Sequence, residues 1–250
     1  MFSVIMPAFN SEQFIEKAIS SVLNQTYKNF ELIIIDDKSD DGTCNIIEKY
    51  LKEDQRIIFH KLNVNSGPAN ARNLGIKAST GRYIAFIDSD DIWMKDKLEK
   101  QLEVFEKEEC AVCYTSYIKV FSESNTKKDR IVQSRRSLGF NDMLWLNLIG
   151  CSTAAYDTKK CGKALMPSVR HAEDYAMWLS ILRDGNEALG ILEPLVRYNV
   201  RQNSESQGKI MAALGHWRAL NLYGSGSKIK TLIHFTYYAI WHIFINKLKI

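Results

Sequence analysis

Three aspartates stand within four positions, Asp88, Asp90 and Asp91, in the stretch YIAFIDSDDIWM (residues 83–94), directly behind an apolar run. Carboxylates that close repel one another, and beside a buried strand the repulsion is poorly screened. A bound cation is the simplest remedy. Carboxylate oxygens without a neighbouring histidine or thiolate suit a hard ion, Mn²⁺ or Mg²⁺, that keeps coordination positions open for phosphate oxygens. A second acidic pair, Asp36 and Asp37, closes the run FELIIIDD, where helix capping in a loop is the simpler account. A third pair, Glu173 and Asp174 in HAEDYAMW (171–178), opens a predicted helix, where the dipole favours acids. Beside a metal-held leaving group, that pair could also supply a base for an incoming nucleophile.

Absences narrow the chemistry. The chain has neither G-x-x-x-x-G-K-[ST] nor G-x-G-x-x-G, so a diphosphate would be held without a glycine-rich cradle. Metal on aspartates could do that work instead. No G-x-S-x-G elbow supports a serine nucleophile. CAVC (110–113) has ligand spacing, but no second cysteine or histidine pair accompanies it, and it reads as two packed thiols. The histidines form no H-E-x-x-H set; His171, beside an acidic pair, is the one placed to touch a site. RIVQSRR (130–136) is basic without interleaved aromatics. It could contact phosphates and is read as a solvated loop.

These residues need positioning elements. SVIMP (3–7), FELIIID (30–36) and RYIAFID (82–88) are unbroken apolar runs of the kind buried on both faces of a parallel sheet, and IIFHKL (57–62) adds a weaker strand. Between them lie helical patterns. One follows possible caps at Asn10 and Ser11, one follows DDGT, one begins at Pro68 and one is the charged segment KDKLEKQLEVFEKEE. CAVCYTSYIKVF (110–121) and ILEPLVRYNVR (191–201) read as strands. RHAEDYAMWLSILRDG (170–185) and 206–224 read as helices, and 122–137 as a long loop or solvated hairpin. Strand and helix alternating predict an α/β domain with a mainly parallel sheet. Ligands of such sheets gather outside the carboxyl ends of the strands, where the acids stand.

The totals agree. The 250 residues suffice for one substantial domain, and 46% hydrophobic with 25% charged residues is an ordinary globular composition. A net charge of +4 gives no general reason to expect nucleic acid. Five scattered cysteines suggest free thiols in a reducing compartment, and MFSVIMPAFN lacks a basic leader, so a cytoplasmic protein is expected. GSGS (224–227) reads as a flexible joint before the tail. That tail, 228–250, holds four lysines, five aromatics and no acid, with a charge-free stretch from Thr231 to Asn246. It is short of the ~20 apolar residues that span a bilayer. A segment lying on a membrane surface fits better.

Five motifs occur in order: SVIMPAFN, AISSVLNQTYKNFELIIIDDKSDDGT, NSGPANARNLGI, GRYIAFIDSDDIW and EDYAMWLSIL. Through them, residues 1–205 resemble the family 2 glycosyltransferases of GT-A fold. The resemblance implies a single Rossmann-like domain over 1–205, with a nucleotide-sugar half (1–110) and an acceptor half (111–205), followed by a helical, basic-aromatic tail (206–250). It implies inverting, Mn²⁺- or Mg²⁺-dependent transfer of a sugar from a nucleotide diphosphate sugar. Pro7, Ala8, Phe9 and Asn10 would line the nucleotide pocket, and Asp37 would bind the nucleobase. Arg72 and Asn73 would pack a helix beside the donor. Asp88, Ser89 and Asp90 match the DxD motif, with Asp90 and Asp88 on the metal and Asp91 close by. Asp174 matches the general base, Glu173 lies beside it, and His171 and Trp178 would shape the acceptor site. Similarity to small bacterial enzymes suggests a UDP-hexose donor, glucose before galactose. The acceptor would be a sugar on undecaprenyl diphosphate, met at the cytoplasmic face of the membrane in O-antigen or other surface-polysaccharide assembly. The family usually has glycine or another small residue where this chain has Lys38. Two rivals remain: a sugar-phosphate nucleotidyltransferase, although PAFNSEQF lacks its glycine-rich basic loop, and a non-catalytic binding module.

Overall fold

A computed structural model describes residues 1–121, 128–200, 209–224 and 226–242. Parts of the 122–137 loop, of the 206–224 helix, of the GSGS joint and of the tail, Lys247 and Lys249 included, lie outside the described residues. The first half alternates as expected: β1 (Phe2–Ala8), α1 (Ile15–Leu23), β2 (Phe30–Asp36), α2 (Thr43–Glu53), β3 (Ile57–Lys61), α3 (Pro68–Ala78) and β4 (Tyr83–Phe86). A short β5 (Ile92–Trp93) and α4 (Lys97–Lys107) follow. The second half holds β6 (Val112–Val120), β7 (Arg130–Val132), β8 (Ser137–Leu138), α5 (Phe140–Met143), a 3₁₀ turn at Cys151–Thr153, β9 (Ala155–Asp157) and α6 (Thr158–Cys161). It closes with α7 (Glu173–Arg183), β10 (Ala188–Asn199), α8 (Lys209–Tyr223) and α9 (Lys228–Ile240).

Among the described residues, ten strands form one sheet in the order β3-β2-β1-β4-β9-β6-β10-β5, with β7 on β6 and β8 on β10. The pairings β3-β2, β2-β1, β1-β4 and β6-β10 are parallel, and β9 joins the two blocks antiparallel to both neighbours. Every residue of β1 is buried, as the unbroken apolar run requires. Its side chains alternate between two cores. Ile5 packs with residues of α3, α7 and α8, whereas Phe2, Val4 and Met6 pack with α1, α2 and α4. Helix α3 lies so close to the sheet that a Cβ on Gly75 would stand 2.7 Å from Ile5 Cγ2.

The strand at 82–88 is shorter than its apolar run, because Ile87 and Asp88 leave the ladder. Ile87 N–H still reaches Ile5 O, but Asp88 N–H donates to the Ser152 hydroxyl at 3.0 Å. Asn10 and Ser11 do not cap α1: its N-cap is Phe14, without a side-chain bond. Instead, Asn10 accepts from Asp40 N–H at 2.9 Å, and the Ser11 and Ser89 hydroxyls lie 2.7 Å apart, tying three site loops together. The thiols of CAVC are buried and free, and burial pushes Cys110 up to about 11. The basic run 130–136 is only partly loop, since its first three residues form β7 along the edge of β6.

Lys38 is exposed and has φ +66°, the left-handed region that glycine adopts without cost. A glycine here would remove the Cβ strain while loosening the unfolded chain. Lys38→Gly should therefore raise stability by about 0.5 kcal/mol in denaturant unfolding, since a left-handed penalty of roughly 1–2 kcal/mol exceeds an unfolded-chain entropy cost of roughly 0.4–1 kcal/mol.

Helices α8 and α9 pack onto the domain. Ala219 and Leu220 of α8 join the core beside α7. His216 stacks between Tyr175 of α7 at 4.5 Å and Tyr238 of α9 at 3.7 Å. Trp145 meets His234 and Tyr237 of α9 edge-on.

Candidate active site

A cavity of about 960 Å³ begins at the carboxyl ends of β1, β2 and β4 and extends to β6, β10 and the first turn of α7. Pro7, Ala8, Phe9 and Asp37 line it on the β1–β2 side, and Asp37 N–H donates to Ala8 O at 2.8 Å. The Asp37 carboxylate accepts from Ser66 N–H and Gly67 N–H, both at 2.7 Å, and from the Ser66 hydroxyl. That clamp fixes its direction, and carboxylate oxygens retain acceptor capacity for a donor in the cavity. Asn10 is not on the cavity wall; its part is to hold the 38–41 loop.

Asp88, Ser89 and Asp90 line the cavity at the end of β4. Arg72, almost wholly buried, forms an ion pair with Asp88. Asn73, its neighbour on α3, faces elsewhere and exchanges two hydrogen bonds with the backbone of Met166. Asp91 lies behind the wall rather than on it. It is fully buried, and one oxygen accepts from Asn199 N–H at 2.9 Å. Burial, then Asp88 and Asp90, push its carboxyl well above the ordinary range. A cation at this corner would relieve that repulsion. Among the described residues no three acids, histidines or cysteines converge as a ready-made metal site. The carboxylates on the cavity wall that would hold a cation here are Asp90 and Asp88, with remaining positions for water and phosphate oxygens, an arrangement that Mg²⁺ and Mn²⁺ accept.

Glu173, Asp174 and His171 line the same cavity at the start of α7. Asp174 accepts from Tyr175 N–H at 2.7 Å, and burial and then Glu173 push its carboxyl up to about 6. Such a group is ionised at neutral pH and still basic enough to take a proton. His171 has φ +66°, a strained conformation held at the mouth of α7. Trp178 is fully exposed to neither cavity nor solvent: it is buried in the core, edge-on to Phe86 at 6.2 Å. Seven residues of α7 are buried, so a tryptophan one turn beyond the acids faces protein rather than acceptor. Its contribution to the site is to seat α7.

If Asp174 is the group whose ionisation limits the reaction, activity should fall as pH drops through about 6. Glu173→Gln removes a neighbouring negative charge and should move that limb to lower pH in kcat/KM profiles.

Three supports escape sequence reading. Ser152 holds Asp88 N–H, and its carbonyl accepts from Trp93 Nε1 at 2.9 Å. Gln101 Nε2 donates to Cys113 O and Thr153 O, and its Oε1 accepts from Lys97 Nζ at 2.8 Å. Lys97 is fully buried, 3.8 Å over the Trp93 ring, and burial pushes its ammonium down to about 7. Together they brace the 151–153 turn beneath the acids. No local signal marks them; a lysine in a charged helix reads as solvated.

Comparisons with known proteins bear on this geometry. Residues 3–159 match the family model described as Glycosyl transferase family 2. The chain is 42% identical over 217 residues to the putative teichuronic acid biosynthesis glycosyltransferase TuaG of Bacillus subtilis, covering 87% of this chain and 86% of the relative. It is 35% identical over 247 residues to WfgD of Escherichia coli, named a UDP-Glc:alpha-D-GlcNAc-diphosphoundecaprenol beta-1,3-glucosyltransferase, covering 98% and 93%. Among solved structures, S. aureus TarS in complex with UDP superposes with TM-score 0.72 at 21% identity over 96% of this chain and 71% of that one. The Pyrobaculum calidifontis mannosyltransferase PcManGT, in complex with GDP-Man and Mn²⁺, gives 0.72 at 17%, over 97% and 70%. The fold is GT-A.

Proposed function

Because the chain belongs to glycosyl transferase family 2, we propose that it moves glucose from UDP-glucose, with inversion, to a sugar carried on a lipid diphosphate during bacterial surface-polysaccharide assembly. Membership of the family removes the nucleotidyltransferase and non-catalytic alternatives. The donor and acceptor classes are supported by the near-full-length likeness to WfgD and the substrates in that enzyme's name. The observation that carries the reading is that Asp174 and the Asp88–Asp90 corner line one cavity with Arg72 between them.

Asp174 takes the proton of the acceptor hydroxyl as that oxygen bonds to C1 of the donor sugar. The bond from C1 to the phosphate oxygen breaks, its electron pair leaves with UDP, and an α-linked donor yields a β-glycoside. Asp90 and Asp88 would hold Mn²⁺ or Mg²⁺, which when bound neutralises charge on the departing diphosphate as a Lewis acid. Arg72 fixes the Asp88 carboxylate, and Asp37 with the 7–9 backbone bounds the nucleotide side.

The tail suits a lipid-borne acceptor. No helix among the described residues is long and apolar enough to cross a membrane. Helix α9 instead turns its apolar side outward: Ile229, Leu232, Ile233, Tyr237 and Ile240 are exposed, while Thr231 and His234 face the protein. Lys228 and Lys230 flank that stripe, which fits an anionic lipid surface. Leu232→Glu with Ile233→Glu should abolish sedimentation with vesicles containing phosphatidylglycerol while leaving the unfolding temperature within a few degrees; unchanged sedimentation would contradict the membrane role.

The function is tested by offering UDP-sugars with Mn²⁺ to a synthetic GlcNAc-diphospho-lipid and weighing the product. One added hexose, with UDP released only when acceptor is present, is the expected result. UDP release indifferent to acceptor would overturn it.

A further inference from the structure

On β6 and β7, Lys119 and Arg130 are register partners, directly opposite one another. Like charges in that position destabilise a sheet. Both are half-buried, and among the described residues neither is paired with a carboxylate. Burial and then Arg130 push the Lys119 ammonium down, while the buried Arg130 Nε has no hydrogen-bond partner among the described residues. Asp129, next to Arg130 in the chain, lies against Arg197 at 3.7 Å. Among the described residues no acid balances the two cations, and an anion from outside would relieve their repulsion.

The pair's location indicates which anion. Lys119 lines the cavity that holds Asp90 and Asp174, on its β6 side and away from the β1–β2 wall. Tyr117, two residues back on the same strand face and also on the cavity wall, feels both Arg130 and Asp91, so Arg130 stands towards this wall of the cavity. On the outer side, Ala212 of α8 lines the same cavity, and His242 just past α9 feels the Lys119 charge. The pair therefore lies between the reacting centre and the helices that expose Met211, Leu214, Leu232 and Ile233. A glycosyl diphosphate attached to a long hydrocarbon has its charges in that same middle position.

We propose that Lys119 and Arg130 bind the diphosphate of the lipid-linked acceptor, placing its sugar beside Asp174 and its hydrocarbon along α8 and α9. Lysine and arginine together offer a point charge and a planar fork, a combination suited to two phosphoryl groups. The assignment rests on the lipid-linked acceptor of the preceding section, and the tests below separate the two.

With the donor side filled by saturating UDP and Mg²⁺, farnesyl diphosphate should bind the wild-type protein in calorimetry. Lys119→Gln with Arg130→Gln should weaken that binding at least tenfold. Affinity for UDP and sedimentation with phosphatidylglycerol vesicles should not change, and thermal stability should hold or rise as the repulsion disappears. No binding to wild type, equal binding to the double variant, or a matching loss of UDP affinity would each overturn the subsite. In turnover, the double variant should raise KM for GlcNAc-diphospho-lipid while leaving an alkyl GlcNAc glycoside unaffected; equal loss on both acceptors would also contradict it. Failure of wild type to glycosylate the diphospho-lipid, with farnesyl diphosphate still bound by the pair, would refute the proposed reaction and keep the subsite.

Discussion

Asp174→Asn should lower kcat about 10³-fold, within the 10²–10⁴ range of a positioned general base. Asparagine preserves the shape and the bond from Tyr175 N–H but cannot take the acceptor proton. UDP affinity should change little, because the charges that act on Asp174 are those of Glu173, Arg72 and Asp88 and not that of Asp37. Stability provides a control with a definite sign. The carboxyl is raised to about 6 in the folded protein against 3.8 ordinarily, so its contribution is lost as pH rises through that interval. At neutral pH the ionised group therefore opposes folding, and the variant should melt at or above the wild-type temperature. A variant that is inactive because it is unfolded would not fit this account. Near-normal turnover would remove Asp174 from the role.

Asp90→Asn should cost at least a hundredfold in transfer, since several kcal/mol of leaving-group stabilisation depend on the ion and each 1.36 kcal/mol is tenfold. The loss should differ in kind from that of Asp174→Asn. Calorimetric titration should show UDP binding that no longer strengthens with Mn²⁺, whereas Asp174→Asn keeps that response. Chelation of the wild-type enzyme should reproduce the Asp90→Asn phenotype and be reversed by added Mn²⁺. If Asp90→Asn retained full metal-dependent binding, the acids at 88–91 would be structural only.

Much of this arrangement is legible in the amino-acid order because the informative residues are contiguous. FELIIID must be buried on both faces, so it marks a central strand and places Asp37 at its carboxyl end. IAFIDSDD carries the same logic to Asp88 and Asp90, and EDYAMW joins an acidic first turn to an amphipathic helix. Residues whose roles depend on distant partners stayed hidden. Two-residue β5 and three-residue β9 are too short for a periodic signal, yet β9 joins the two halves of the sheet. Trp178 looks like an acceptor platform from its position after the acids, but it lies among the seven buried residues of α7 and packs in the core. Ser152 and Gln101 act through contacts between segments dozens of residues apart, and Lys97 acts through Gln101. The 130–136 run reads as solvent-facing because a basic stretch normally is. Only pairing with β6 brings Arg130 opposite Lys119 and changes its meaning.

Crystals grown with Mn²⁺ and UDP, examined for the anomalous signal of manganese, test the central claim most directly. The account requires a manganese peak beside the Asp90 carboxylate, touching the diphosphate, with the uracil towards Asp37. UDP seated without manganese at that corner, or manganese bound elsewhere in the cavity, would contradict it.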